Sequence, residues 1–420
     1  MALKDVLKQA MAFVLPSKKE EMRISSAAKE ICQRLDAQFR KEKIPATAFV
    51  GGSVGKGTWL PGISDIDFFI LFDYEAYKDK SAQLSDFAGR VLKKAFGKIT
   101  RLHGSRDYFS ADYKGIYSEF VPVLKIKSTK EAKNLTDFSP LHVRWIKSKI
   151  KRNQRLQTEV RLAKQFFKSV EVYGAESYIS GFSGHAIEIL TIYYGGFLNL
   201  LKNALKWREK QVFDAEKRFK NEKEVFETLN ESKLQSPLIL IDPVEPGRNA
   251  LAALNKENFY KLKGAAKAFL AKPHLSFFRE KNFSVETLRR EKSHRKLIVA
   301  ETKPTRGKPD VVGCELLGKF NKIKSEFEKN DFKILESGWH WPEHGPAIFW
   351  FYFPNHWLEK TKLHFGPPAS MKEFAAKFRK KWKKVKIIKG VLATEVKRKY
   401  VTPERLIKDL IRTDRTISLY

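Results

Sequence analysis

Two acids in the run SDIDFFILFD, Asp65 and Asp67, stand two positions apart on an otherwise apolar stretch. In an extended strand alternate side chains share a face, so both carboxylates point one way while Ile66 and Phe68 turn to a core. Carboxylates held that close repel each other, and a bound divalent cation relieves them. About a dozen residues upstream, Ala48-Phe49-Val50 runs into Gly51-Gly52-Ser53, a short strand ending in a bend. Glycine lets backbone N–H groups approach an anion, and a helix start beyond it adds a positive dipole end. A phosphate cradle beside a carboxylate pair is what metal-assisted phosphoryl transfer needs. Taken singly, Asp-x-Asp reads as a solvated strand edge and Gly-Gly-Ser as a turn. Their order and spacing together make the stronger signal. A third acid, Glu119, interrupts the apolar run GIYSEFVPVL. A lone Glu there would face solvent; beside a carboxylate pair it reads as a third acid of the site, since burial without a partner is costly.

The elements that must position these groups follow from periodicity. Residues 2–43 are predicted as two helices broken near Pro16. The second carries Ile24, Ala27, Ala28, Ile31, Leu35 and Phe39 at helical spacing. A helix over Leu84–Phe96 and strands over Lys98–His103, Tyr108–Tyr113 and Ile116–Ile126 follow the acid strand. Residues 136–202 read as helical, with Val160, Ala163, Phe166 and Phe167 on a buried stripe that leaves Lys164 free to point elsewhere. The lysine-rich segment 203–235 reads as a solvated excursion. LILIDPVEPGRN then reads as a strand, a proline-bounded loop and a helix starting near Arg248, with Asn249 as its cap. From about residue 275 a strand (LIVAE), a helix (Gly313–Lys329) and two strands (Phe332–Trp341, Ala347–Pro354) suggest a small sheet covered on one face by helices. In the helix Met371–Trp382, Phe374, Phe378 and Trp382 fall on one face and read as core, the lysines between them as phosphate contacts.

Composition limits the class of partner. Lys plus Arg number 81 against 48 Asp plus Glu, a net charge of +33, which points to polyanions. A hydrophobic content of 42% argues for a folded chain, and 420 residues suffice for two or three cores. Cys32 and Cys314, the two cysteines, have no metal-ligand spacing and suggest a reducing, cytoplasmic setting. No apolar run reaches the roughly 20 residues of a membrane span, so no membrane partner is expected.

Taken in order, GS..K.TW (52–59), DID (65–67), VYGAE (172–176), GFSG (181–184) and DPVEPGRN (242–249) resemble the archaeal-type (class I) CCA-adding enzymes. These are tRNA nucleotidyltransferases of the superfamily that includes DNA polymerase β. The resemblance extends from the first helix to GPP (366–368) and KEFAAKF in the tail. It implies an α+β fold: a nucleotidyltransferase head on a mixed five-stranded sheet (1–138), a helical neck and central domain (139–275), and a basic α/β tail that binds tRNA (276–420). It also implies Mg2+ held by Asp65, Asp67 and Glu119, with Gly52 and Ser53 on the triphosphate. Lys56, Ser139, His142, Lys164 and Tyr173 would contact phosphates and sugar, and Arg248 the incoming base. The implied reaction is template-independent addition of CCA to the 3′ end of tRNA from CTP and ATP, the tail gripping the acceptor stem and TΨC arm. A poly(A)- or A-adding transferase and a catalytically silent RNA-binding relative are the alternatives. The chain departs from the family at Lys56 (usually Arg), Asp65 (often Glu), Glu119 (usually Asp) and Ser139 (Thr). The resemblance also admits a homodimer, the state of some relatives.

Overall fold

A computed structural model describes residues 2–63, 65–280, 283–291, 295–343 and 345–420. The chain forms two compact units, Met1–Lys281 and Asn282–Tyr420. In the first unit, α1 (Leu3–Val14) and α2 (Lys18–Lys41) flank Pro16, and Ser17 caps α2 by accepting from the Glu20 N–H. Then come β1 (Ala46–Val50), the short α3 (Gly52–Lys56), β2 (Asp65–Phe72), α4 (Leu84–Phe96), β3 (Thr100–Leu102), β4 (Tyr108–Tyr113) and β5 (Ile116–Leu124). The five strands form one sheet in the order β1-β2-β5-β4-β3. β2 and β5 run parallel and the other pairs antiparallel, so the sheet is mixed as expected.

Strand alternation divides the two faces of this sheet. Ile66, Phe68, Ile70 and Phe72 of β2 and Ile116, Phe120 and Leu124 of β5 enter one core with Ile24, Ile31, Leu35 and Phe39 of α2 and Leu84, Val91 and Leu92 of α4. The opposite face carries Asp65, Asp67 and Glu119 at one end. Further along the strands Phe69, Leu71 and Val123 pack on Val143. The apolar half of the pattern thus buries the sheet, and the other half is left for chemistry.

The rest of the first unit is mainly helical. α5 (Ser139–Arg152), α6 (Arg155–Ser169), α7 (Gly184–Tyr193), α8 (Phe197–Ala204) and α9 (Lys256–Ala271) surround a parallel strand pair, β6 (Gln211–Asp214) and β7 (Leu238–Ile241). A second core joins Val6, Ala10 and Val14 of α1 to Phe166 and Phe167 of α6, Phe197 of α8 and Phe269 of α9. Two local readings are corrected here. No helix starts near Arg248: the chain after β7 stays in turns until α9, capped by Asn255. Asn249 instead is buried within that loop, its amide bonded to backbone groups of Lys233, Leu238, Leu240 and Leu251. A side-chain amide can satisfy four backbone groups of an irregular loop, which a helix cap cannot.

The second unit contains β8 (Lys296–Thr302), α10 (Pro309–Lys329), β9 (Glu336–His340), β10 (Ala347–Phe353), β11 (Thr361–Pro368), α11 (Lys372–Lys381), β12 (Val385–Ile388), β13 (Val391–Lys397), α12 (Pro403–Thr413) and β14 (Ile417–Leu419). A four-stranded antiparallel sheet, β14-β8-β10-β9, packs Phe349, Phe351 and Phe353 against Phe320 and Phe327 of α10 and Leu406 of α12. A second sheet, β11-β13-β12, was not legible in the sequence. The aromatic residues of α11 are not core. Phe374 is 56% exposed, while Phe378 and Trp382 lie against His364 of β11. Helical spacing puts them on one face, but only a thin three-stranded sheet is there to meet it. Among the described residues no helix is long and apolar enough to cross a membrane.

Candidate active site

The three acids converge because of register. β2 and β5 place Asp67 directly beside Glu119, with Asp65 one alternation further toward the strand end, opposite Tyr117. The Gly51-Gly52 bend closes onto the same point. The Gly51 N–H donates to the Asp67 carbonyl at 2.7 Å, and Gly52 adopts φ +51°. A methyl group added at Gly52 would fall 1.6 Å from Asp67 Oδ2, so the backbone lies against the carboxylate. Gly57, at φ 72°, ends α3 in the left-handed region that glycine tolerates. Burial pushes the Asp67 carboxyl above its ordinary range and Asp65 pushes it further, while Lys56 pulls it back. Glu119 is raised too, by burial first and then by Asp67 and Asp65. The half-buried Asp67 and Glu119, with the exposed Asp65 beside them, form a hard, all-oxygen donor set, which fits a hard divalent cation and not a thiol- or imidazole-seeking metal.

Beside this group lies a second one. Glu188 of α7 accepts from Lys56 Nζ at 2.8 Å, from Lys164 Nζ at 2.7 Å and from Thr58 Oγ1 at 2.6 Å. Lys164 also donates to the Thr58 carbonyl at 3.2 Å and is 3% exposed. The residue read as free to point elsewhere is thus buried and aimed at Glu188. Tyr173 is half-buried at the same place. A methyl group at Gly184, the first residue of α7, would stand 2.6 Å from the Tyr173 hydroxyl and 3.8 Å from Lys164 Cε. Burial raises the Tyr173 phenol well above its ordinary value, and Glu188, Glu176 and Asp65 add to the effect. Asp65 thus acts on Tyr173, and Lys56, paired with Glu188, acts on Asp67, which ties the two groups into one cleft.

A third group completes the cleft. His142 Nε2 lies 2.9 Å from Asp242 Oδ1, His185 Nε2 lies 3.4 Å from Asp242 Oδ2, and Arg248 Nη1 lies 3.6 Å from the same oxygen. The His142 and His185 rings are 4.5 Å apart. His142, His185 and Asp242 offer donor atoms within 4.8 Å of one another, close enough to hold a metal ion. Yet Asp242 Oδ1 already accepts from the Val244 and Glu245 N–H groups, and a guanidinium faces Oδ2. The cluster is arranged first as a hydrogen-bonded anchor for the loop that bears Arg248. Burial pushes the His142 imidazole down to about 4, against the opposing pull of Asp242. Burial alone would raise the Asp242 carboxyl, but His142 and His185 hold it well below the usual carboxylate range. At neutral pH His142 is uncharged, so what it offers a ligand is a hydrogen bond and not a charge.

Ser139 opens α5 and sits one turn before His142. Beneath it Asp137 is buried and bonded to Arg106 and to the Leu124, Lys133 and Asn134 N–H groups, fastening the end of β5 to the start of α5. Arg248 is 47% exposed along its side chain and open to a ligand. Sequence reasoning missed Glu188, His185, Asp242 and Thr58. For Glu188 the signal was present: an acid within the apolar run GHAIEILTIYY, as with Glu119.

Comparison with known proteins bears on the fold and the family. The nucleotidyltransferase domain family matches residues 26–142, and a second-domain family of tRNA nucleotidyltransferases matches 158–279. The C-terminal domain family of CCA-adding enzymes matches 307–417. Among solved structures, the Cid1 poly(U) polymerase bound to MgATP has a TM-score of 0.51 at 16% identity, over 66% of this chain and 98% of that one. The fold and the carboxylate-bearing sheet define a nucleotidyltransferase. A CCA-adding enzyme of Nanoarchaeum equitans is 39% identical over 321 residues, 76% of each chain. One from Methanocaldococcus jannaschii is 29% identical over 98% of this chain and 91% of its own, and one from Pyrobaculum aerophilum is 31% identical over 87% and 83%. The chain belongs to the CCA-adding enzymes.

Proposed function

We propose that this chain adds C, C and A in turn to the 3′ end of tRNA, taking CTP and then ATP and releasing pyrophosphate without a nucleic-acid template. The observation that carries this is the register Asp67–Glu119 with the Gly52 backbone against Asp67, in a chain of this family. Asp65, Asp67 and Glu119 would hold Mg2+, which when bound neutralises triphosphate charge and makes the primer 3′-hydroxyl more acidic. The chain's own groups do the rest. Gly52 and Ser53 seat the triphosphate at the bend, and Lys56 and Lys164 face it with charge. Ser139, His142 and Tyr173 supply hydrogen bonds to phosphates and sugar. Arg248, held at the loop by Asp242, offers donors to the edge of the incoming base. The head (1–138), neck and central domain (139–275) and tail (276–420) would divide the work, the basic tail gripping the acceptor stem and TΨC arm by backbone shape.

The test offers single nucleotides and MgCl2 with tRNA ending at the discriminator base, at C or at CC. Ordered addition of C, C and A followed by a stop supports this reading. Runs of A, or binding without extension, would overturn it.

A further inference from the structure

The cleft contains a buried carboxylate that the reaction as described does not use. Glu188 is 1% exposed and accepts three hydrogen bonds from side chains of two other segments: Lys56 and Thr58 at the end of α3, and Lys164 on α6. Two ammoniums share one carboxylate here, so the set carries one positive charge in excess where water has little access. Burying unbalanced charge is unfavourable, and an anion entering beside it is correspondingly favoured. Lys56 is the outer member, 11% exposed along its side chain, and its field reaches Asp67. The excess charge therefore faces the carboxylate group and the bend.

We propose that Glu188 is a positioning residue for the nucleotide triphosphate: it gathers Lys56 and Lys164 at one point beside the bend and leaves them one negative charge short. The inference rests on the nucleotidyl-transfer reading above and adds to it a residue that touches no substrate. Glu188 also offsets the desolvation of the buried lysine. Desolvation pushes Lys164 below the ordinary amine range, Glu188 opposes this, and Lys56 and Arg161 add to the lowering. His185 of α7, 3.7 Å from Glu188, and the Tyr173 phenol also act on this pair. Glu188 itself, which burial alone would raise, is held well below the carboxylate range by Lys164 and Lys56, so it stays ionised at working pH.

A merely structural staple and a positioning carboxylate predict different kinetics. Glu188→Gln keeps the size and removes the charge. It is expected to raise KM for CTP and ATP by about tenfold or more while KM for tRNA and kcat stay within about twofold. Glu188→Asp, which keeps the charge on a shorter stem, should recover part of the loss. In a Lys164→Met background the same Glu188→Gln change should add less than about twofold, because one of the groups it positions is gone. Equal loss for nucleotide and tRNA, a lowered Tm with unchanged nucleotide KM, or full additivity with Lys164→Met would overturn the proposal. Should Glu188→Gln fail to fold, Thr58→Val removes one tether without touching the charges. It is expected to raise nucleotide KM severalfold, and an unchanged KM there overturns the proposal as well. Calorimetry with CTP on the unaltered chain separates the two readings. Binding of CTP without extension of any RNA would overturn the proposed function alone. Normal extension with a nucleotide KM indifferent to Glu188 would overturn the positioning role alone.

Discussion

Gly52 and Asp67 show how little room the site leaves at the residue scale. The glycine has positive φ and no side chain, and both properties are needed: any Cβ would collide with the carboxylate and would sit in a strained backbone conformation. Gly52→Ala is therefore expected to reduce kcat/KM by about a hundredfold or more while changing overall stability by only about 1–3 kcal/mol. Steady-state kinetics beside thermal unfolding separates the two effects. The acids themselves were legible in the sequence, because Asp-x-Asp on an apolar strand and one Glu in another apolar run are local patterns. The partners of Lys56 and His142 were not. Glu188 lies well over a hundred residues from Lys56 in sequence, and Asp242 is a hundred from His142; only packing brings such pairs together.

At the scale of elements, what was legible followed periodicity, and what was not followed tertiary demand. The helix Leu84–Phe96 and the strand Tyr108–Tyr113 match their predicted spans because a single apolar face fixes each. The sheet of β11, β13 and β12 escaped notice because its strands are only partly buried and β11 ends in Gly366-Pro367-Pro368, so alternation is weak. Arg248 stands on a loop that α-helical expectation would have made rigid; Asn249 supplies the rigidity instead, through four backbone hydrogen bonds. Replacing it leaves buried N–H and carbonyl groups without partners, each worth about 1–3 kcal/mol. Asn249→Ala is expected to lower stability by about 2 kcal/mol or more in denaturant titration and to raise KM for nucleotides, since the loop that presents Arg248 loosens. An unchanged unfolding midpoint would contradict this account of the loop.

Across the whole molecule the dominant property is charge. With +33 spread over 420 residues, tRNA affinity should be strongly salt-dependent and should fall by at least about tenfold between roughly 50 and 200 mM monovalent salt. A filter-binding series measures this slope, and a flat one would remove electrostatics from the interface. The same principle, like charge gathered to await its opposite, operates with reversed sign at the three acids, and there it affects folding. Asp67 and Glu119 titrate above their ordinary values, so the folded chain binds protons there more tightly than the unfolded one. The sign follows: this pair favours the fold at low pH, and that contribution is lost as pH rises through the raised carboxylate range. A divalent cation in the site would restore it, with no RNA or nucleotide present. The decisive measurement is the thermal unfolding midpoint at about pH 8 with and without MgCl2, for the unaltered chain and for Asp67→Asn. The expected result is a Mg2+-dependent rise in Tm in the unaltered chain, together with a higher metal-free Tm and little Mg2+ response in Asp67→Asn. Identical Mg2+ responses in the two proteins would contradict the claim that these carboxylates form the metal site.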